Sequence, residues 1–114
     1  MNEITIERID QRTALVRLGP RLDNTTAAAV RDSLTDLHAD GVNRYVIDMS
    51  AVEFFDSTGL SVIFRAWRRA VHADGGLVLA APSAPVRTAL TTAQIPAPVD
   101  DDLATALART RATV

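Results

Sequence analysis

The run Arg44-Tyr45-Val46-Ile47-Asp48-Met49 confines this chain more than any other stretch. Its near-continuous apolar character marks a central strand covered on both faces, the kind found where helices flank a sheet. A few residues later the pattern changes to helical spacing. From Ser57 to about Ala73, Leu60, Ile63, Phe64, Trp67, Ala70 and Val71 fall on one side, and Ser61, Arg65, Arg68, Arg69 and His72 on the other. The apolar stripe is expected to lie in the core. Asp74-Gly75-Gly76 then turns into a second apolar strand, Leu77 to Ala81.

The flanking segments extend this pattern. Ile4 to Ile9 and Ala14 to Leu18 alternate apolar and polar residues as strands do, and the short polar link Asp10 to Arg12 joins them as a hairpin. Gly19-Pro20 ends the second strand. Leu22 to Thr26 offers several helix caps ahead of Ala27, Val30, Leu34 and Leu37, a stripe that ends near Asp40-Gly41. Asp23 reads equally as a cap or pre-cap carboxylate and as a functional residue. Ser83 and Pro85 open a third helix whose stripe is Val86, Ala89, Leu90 and Ala93. Ile95 to Val99 holds two prolines and is at most a short edge segment. Asp100-Asp101-Asp102 caps a last helix carrying Leu103 and Leu107, with a frayed tail after about Ala108.

Two strand–helix–strand units imply parallel neighbours with right-handed crossovers, and the hairpin adds an antiparallel edge. The expected fold is therefore α/β: one domain over residues 1–114, with a mixed four- to five-stranded sheet and about four helices.

Composition removes whole classes of chemistry. The chain has no cysteine, which excludes thiol catalysis, disulfides and Cys-based zinc sites. All twelve basic residues are Arg, so neither a lysine Schiff base nor a P-loop lysine is available. The net charge of −2 is not that of a nucleic-acid binder. The opening MNEITIERID is not a signal peptide, and no apolar run reaches membrane-spanning length, so the expected location is cytoplasmic. His38 and His72 lack metal-binding spacing, and aspartates at a helix start are common for dipole reasons, so neither a metal nor a cofactor is expected. Asp48, near the end of the central strand, is read as a hydrogen-bond acceptor for the loop that follows, not as a phosphoacceptor.

The chemistry concentrates at Phe54-Phe55-Asp56-Ser57-Thr58-Gly59-Leu60, where a strand gives way to the best helix. Phe-Asp-Ser-Thr-Gly is not the G-x-S-x-G of a hydrolase elbow, and no histidine stands in a triad position, so the chain is not read as an enzyme. A helix start has unpaired N–H groups and a dipole that favours negative charge, and a phosphate on Ser57 or Thr58 would lie in that field. Ser57 as a simple helix cap is the competing reading.

The segment VIDMSAVEFFDSTGLSVIFRAWRRAVHADGGLVLAAPSAPVRTAL closely resembles the STAS domain of bacterial anti-sigma-factor antagonists. The family pattern is an apolar strand, a D-S-[ST]-G-L turn, an amphipathic helix, a Gly-Gly turn, and a strand followed by a Pro-containing segment and helix. Gly19 with Leu22-Asp23 resembles its G-x-L-D element, so the likeness covers nearly the whole chain. The resemblance implies that Ser57 is the phosphorylated serine. It implies that the unphosphorylated protein binds an anti-sigma factor, often itself an ATP-dependent serine kinase, and so frees a sigma factor, and that a serine phosphatase resets the switch. Asp56 would orient the hydroxyl or shape the turn that Thr58 and Gly59 complete. Asp23 would lie near the partner surface, and an acidic kinase face would meet Arg65, Arg68 and Arg69. No direct nucleic-acid contact and no oligomeric state is implied. One departure is the loop Gly19-Pro20-Arg21-Leu22, where the family usually has Gly-Glu-Leu. An alternative within the resemblance is an accessory subunit of a lipid-transport ATPase that uses no phosphoswitch; a ligand-binding STAS module is a third.

Overall fold

The computed structural model describes residues 4–112. The alternating opening forms β1 (Thr5–Arg8) and β2 (Thr13–Arg17), paired antiparallel as the hairpin requires. A two-residue strand, β3 (Arg21–Leu22), precedes helix α1 (Ala27–Ala39). The apolar run forms β4 (Arg44–Asp48), a second two-residue strand β5 (Phe54–Phe55) follows, and α2 runs Ser57–His72. Then come β6 (Gly76–Ala80), α3 (Ala84–Thr92), β7 (Val99–Asp100) and α4 (Leu103–Ala112). The main sheet has the order β1-β2-β4-β6-β7, antiparallel only at the hairpin and parallel across the other pairs. Among the described residues the fold is thus α/β, with a mixed five-stranded sheet and four helices.

The central strand is covered on both faces because its side chains alternate between two cores. Tyr45 and Ile47 pack with Val30, Leu34, Ile63 and Leu90 from α1, α2 and α3. Val46 packs with Leu15, Val78 and Ala106, under α4. β3 and β5 stand outside this sheet as a parallel pair, Arg21 opposite Phe54 and Leu22 opposite Phe55.

Three expectations change. Phe64 and Val71 are 37% and 42% exposed. The buried face of α2 is Gly59, Leu60, Ile63, Ala66 and Ala70, a line rotated toward α1. The small Ala66 lets α2 lie close to its neighbours, so the bulky Phe64 and Val71 are left at the flank. The aspartate triplet also divides. Asp100 is a buried β7 residue, Asp101 pairs with Arg87, and only Asp102 caps α4, accepting the Thr105 N–H at 2.7 Å. Finally, α4 continues to Ala112, past the expected fraying at Ala108.

Candidate functional site

The site is built where two loops cross. Asp56 precedes α2 in extended conformation (φ −140°) and its Oδ1 accepts the Gly59 N–H at 3.0 Å, satisfying one of the orphan donors of the first turn. Asp56, and not Ser57, is therefore the N-cap. The other oxygen, Oδ2, accepts the Asn24 N–H at 3.0 Å, which ties the loop before α1 to the start of α2. Ser57 becomes the first residue of the helix, exposed, with its hydroxyl released from capping. Its carbonyl accepts the Ser61 hydroxyl at 2.8 Å.

Gly59 is buried, and a Cβ there would collide with the Leu22 carbonyl. This glycine lets the first turn of α2 press against β3. It shapes the turn, as expected of it, but it does not offer a surface to a partner. Thr58 is exposed beside Ser57.

Asp23 departs from the place near the partner surface that the resemblance implies for it. It is 0% exposed, so it cannot meet a partner directly. Its Oδ1 accepts both the Thr25 hydroxyl (2.6 Å) and the Thr25 N–H (3.0 Å), and Oδ2 pairs with Arg21. The hydrogen bonds from Thr25 hold its carboxyl below the ordinary value, against the opposing effect of burial, with help from Arg21. Its backbone carbonyl accepts the N–H groups of Thr26 and Ala27. The pre-cap reading is the correct one: Asp23 folds the loop so that Asn24 reaches Asp56. Arg21, the departure from the family pattern, ion-pairs with this carboxylate and lies 4.6 Å over the ring of Phe54, which is 50% exposed.

Ser57 lies where two grooves meet. One, of about 450 Å³, runs between α1 and α2 and is lined by Arg31, Arg65 and Arg69. The other runs between α2 and the end of α3, past Leu60, Phe64 and Ile95. Arg65 thus shares a surface with Ser57 and Thr58. Sequence patterning did not single out Arg31, Asn24 or the Arg21–Phe54 pair. The part Arg31 plays in the groove depends on how α1 and α2 pack, which the spacing within α1 does not show. Asp48 lies apart from this site, and its Oδ1 accepts the Ser50 N–H at 3.0 Å, as expected of a loop acceptor.

Comparison with known proteins bears on the family and the fold. The STAS domain family matches residues 4–106. The anti-sigma-F factor antagonist RsfB of Mycobacterium tuberculosis is 36% identical over 63 residues, 54% of this chain and 52% of the relative. The chain therefore spans about half the length of the curated relatives it matches. Among solved structures, an anti-sigma factor antagonist from Mycobacterium paratuberculosis superposes with a TM-score of 0.78 at 27% identity, covering 97% of this chain and 95% of that one. Phosphorylated Bacillus SpoIIAA shares the fold at a TM-score of 0.77 and 20% identity, covering 94% of this chain and 98% of its own. Among the described residues no helix is long and apolar enough to cross a membrane. With a family match over most of its length and the D-S-T-G turn in place, the chain belongs to the STAS domain family, of which RsfB and the Mycobacterium paratuberculosis protein are anti-sigma factor antagonists.

Proposed function

We propose that the protein is an anti-sigma-factor antagonist whose binding is switched off by phosphorylation of Ser57. The observation that carries this reading is the release of Ser57 from capping. Asp56 takes the cap and Gly59 fixes the turn, so the Ser57 hydroxyl is presented on a rigid, exposed corner between two grooves. The shared fold with phosphorylated SpoIIAA and the identity to RsfB support the same reading.

In the unphosphorylated state the corner, with Thr58 and Arg65 beside it, docks on an anti-sigma factor that is also a serine kinase. Ser57 Oγ then takes the γ-phosphoryl group of ATP, with loss of its proton and release of ADP. The phosphate brings about −1.5 to −2 charges to a hydroxyl that was neutral. A new charge for which the docked partner offers no counterpart costs about 2–5 kcal/mol at a buried interface, enough to end the complex. A phosphatase restores the hydroxyl. The protein itself performs no catalysis and works in the cytoplasm. Asp23 and Asp56 act by holding the two loops together, not by touching the partner.

The test is phosphotransfer. The purified protein is incubated with its anti-sigma factor and ATP, and the product is mapped by peptide mass spectrometry. Stoichiometric modification at Ser57, absent in Ser57→Ala, is the expected result. Modification elsewhere, or none, contradicts the reading.

A further inference from the structure

We propose that, once Ser57 carries a phosphoryl group, the guanidinium groups of Arg31 and Arg65 hold it in the groove between α1 and α2. This rests on the phosphorylation of Ser57 proposed above and adds where the phosphate goes. The two helices run side by side in the same direction. Their starts are joined by Asn24 N–H to Asp56 Oδ2 (3.0 Å), and their ends by Asn43 Nδ2 to the Ala73 carbonyl (2.9 Å). Ser57 therefore stands at the upper end of the groove they enclose, and Arg31 lies one turn below the start of α1, roughly 6 Å along its axis.

Helical side chains lean toward the N-terminus of their helix, so both arginines extend toward the end where Ser57 stands. On α2, Ser57, Ser61, Arg65 and Arg69 form one row at spacing i, i+4 and all line the groove. The small Ser61, its hydroxyl turned onto the Ser57 carbonyl, leaves open space between Arg65 and Ser57.

The guanidiniums are available for a new anion. Among the described residues Arg31 meets only its neighbour Asp32, at 3.3 Å, with both side chains well exposed, which makes a weak pair. Arg65 has no hydrogen-bond or ion-pair partner among the described residues. Arg69 makes one long contact, 3.4 Å to the Thr35 hydroxyl. No carboxylate lines the groove among the described residues. The planar guanidinium fork matches phosphate oxygens two at a time. Asp56 opposes the added charge, and among the described residues no charged one lines the groove on the other side of Ser57, so the phosphate turns toward α1. Held there, it fills the concave surface that the unmodified protein leaves open to a partner.

The experiment uses the full chain with phosphoserine incorporated genetically at position 57, followed by ³¹P NMR through a pH titration. The second ionisation of phosphoserine is ordinarily near pH 6. Contact with two guanidiniums is expected to place the midpoint lower by about half a unit or more than in the Arg31→Gln/Arg65→Gln double variant. Equal midpoints overturn the proposal. Thermal melting of the unmodified double variant confirms that it is folded, and a merely structural role for the arginines would leave the ³¹P midpoint unmoved. Because the phosphoserine is installed without a kinase, this result is independent of the switch. Equal midpoints with lost partner binding sink only the groove, whereas a lowered midpoint with partner binding intact sinks only the switch.

Discussion

The carboxylate of Asp56 and the backbone N–H of Asn24 are joined at 3.0 Å across 32 residues of chain, while the other oxygen of the same carboxylate caps α2. One side chain therefore both starts the helix and fixes it to the loop before α1. Asp56→Ala should lose both bonds and cost about 1–2 kcal/mol. Ser57→Ala removes no cap and should stay within about 0.5 kcal/mol of wild type. Urea unfolding of the two variants measures the difference, and equal losses would contradict the assignment of the cap.

Gly59→Ala tests the close approach of α2 to β3. The added methyl meets the Leu22 carbonyl, a backbone atom that cannot move without opening the β3–β5 pair. Overpacking of this kind costs about 1–3 kcal/mol. Loss of stability in chemical denaturation is expected, although Ala favours helix over Gly on propensity alone.

Adjacent residues of α2 should separate folding from binding. Ile63 is 0% exposed, and Ile63→Ala should cost about 2–5 kcal/mol in urea unfolding. Phe64, stacked on Trp67 at a centroid distance of 6.0 Å but partly open to solvent, should cost much less on replacement by Ala. It borders the groove beside Ser57, so Phe64→Ala should weaken anti-sigma factor binding in calorimetry. Normal binding by this variant would remove that groove from the interface.

Acid stability should follow Asp100. Arg109 donates to both of its oxygens, Nε at 2.8 Å and Nη2 at 2.7 Å, and this pairing holds the carboxyl below its ordinary value despite burial. A carboxylate with a lowered folded pKa stabilises the fold above the unfolded pKa, and that stability is lost as pH falls through the folded value. Melting temperature should therefore drop as pH goes below about 4. Asp100→Asn should be less stable at neutral pH and show a flatter acid limb. Parallel acid limbs for the two proteins would contradict this.

Much of the architecture was legible because it depends on local pattern. β4, α2 and the opening hairpin follow from apolar spacing, and the right-handed crossovers then order the sheet. β3 and β5 were not, since two-residue strands exist only through their pairing with each other. The D-S-T-G turn was visible, but which residue caps was not: Asp56 and Ser57 are both good caps, and the bond to Asn24 decides between them. Asp23 and Asp100 share a cause. Each is buried beside an arginine that sequence spacing does not identify as its partner, Arg21 and Arg109. Phe64 and Val71 went astray because helical periodicity shows that a stripe exists but not where its centre lies.

The most direct test of the switch is affinity capture from a lysate of the source organism with wild type, Ser57→Ala and Ser57→Asp as baits, followed by mass spectrometry. Recovery of an ATP-binding anti-sigma factor by wild type and Ser57→Ala, and its loss with Ser57→Asp, is the predicted result. Recovery of the same partners by all three baits, or of a transporter ATPase in place of an anti-sigma factor, would contradict it.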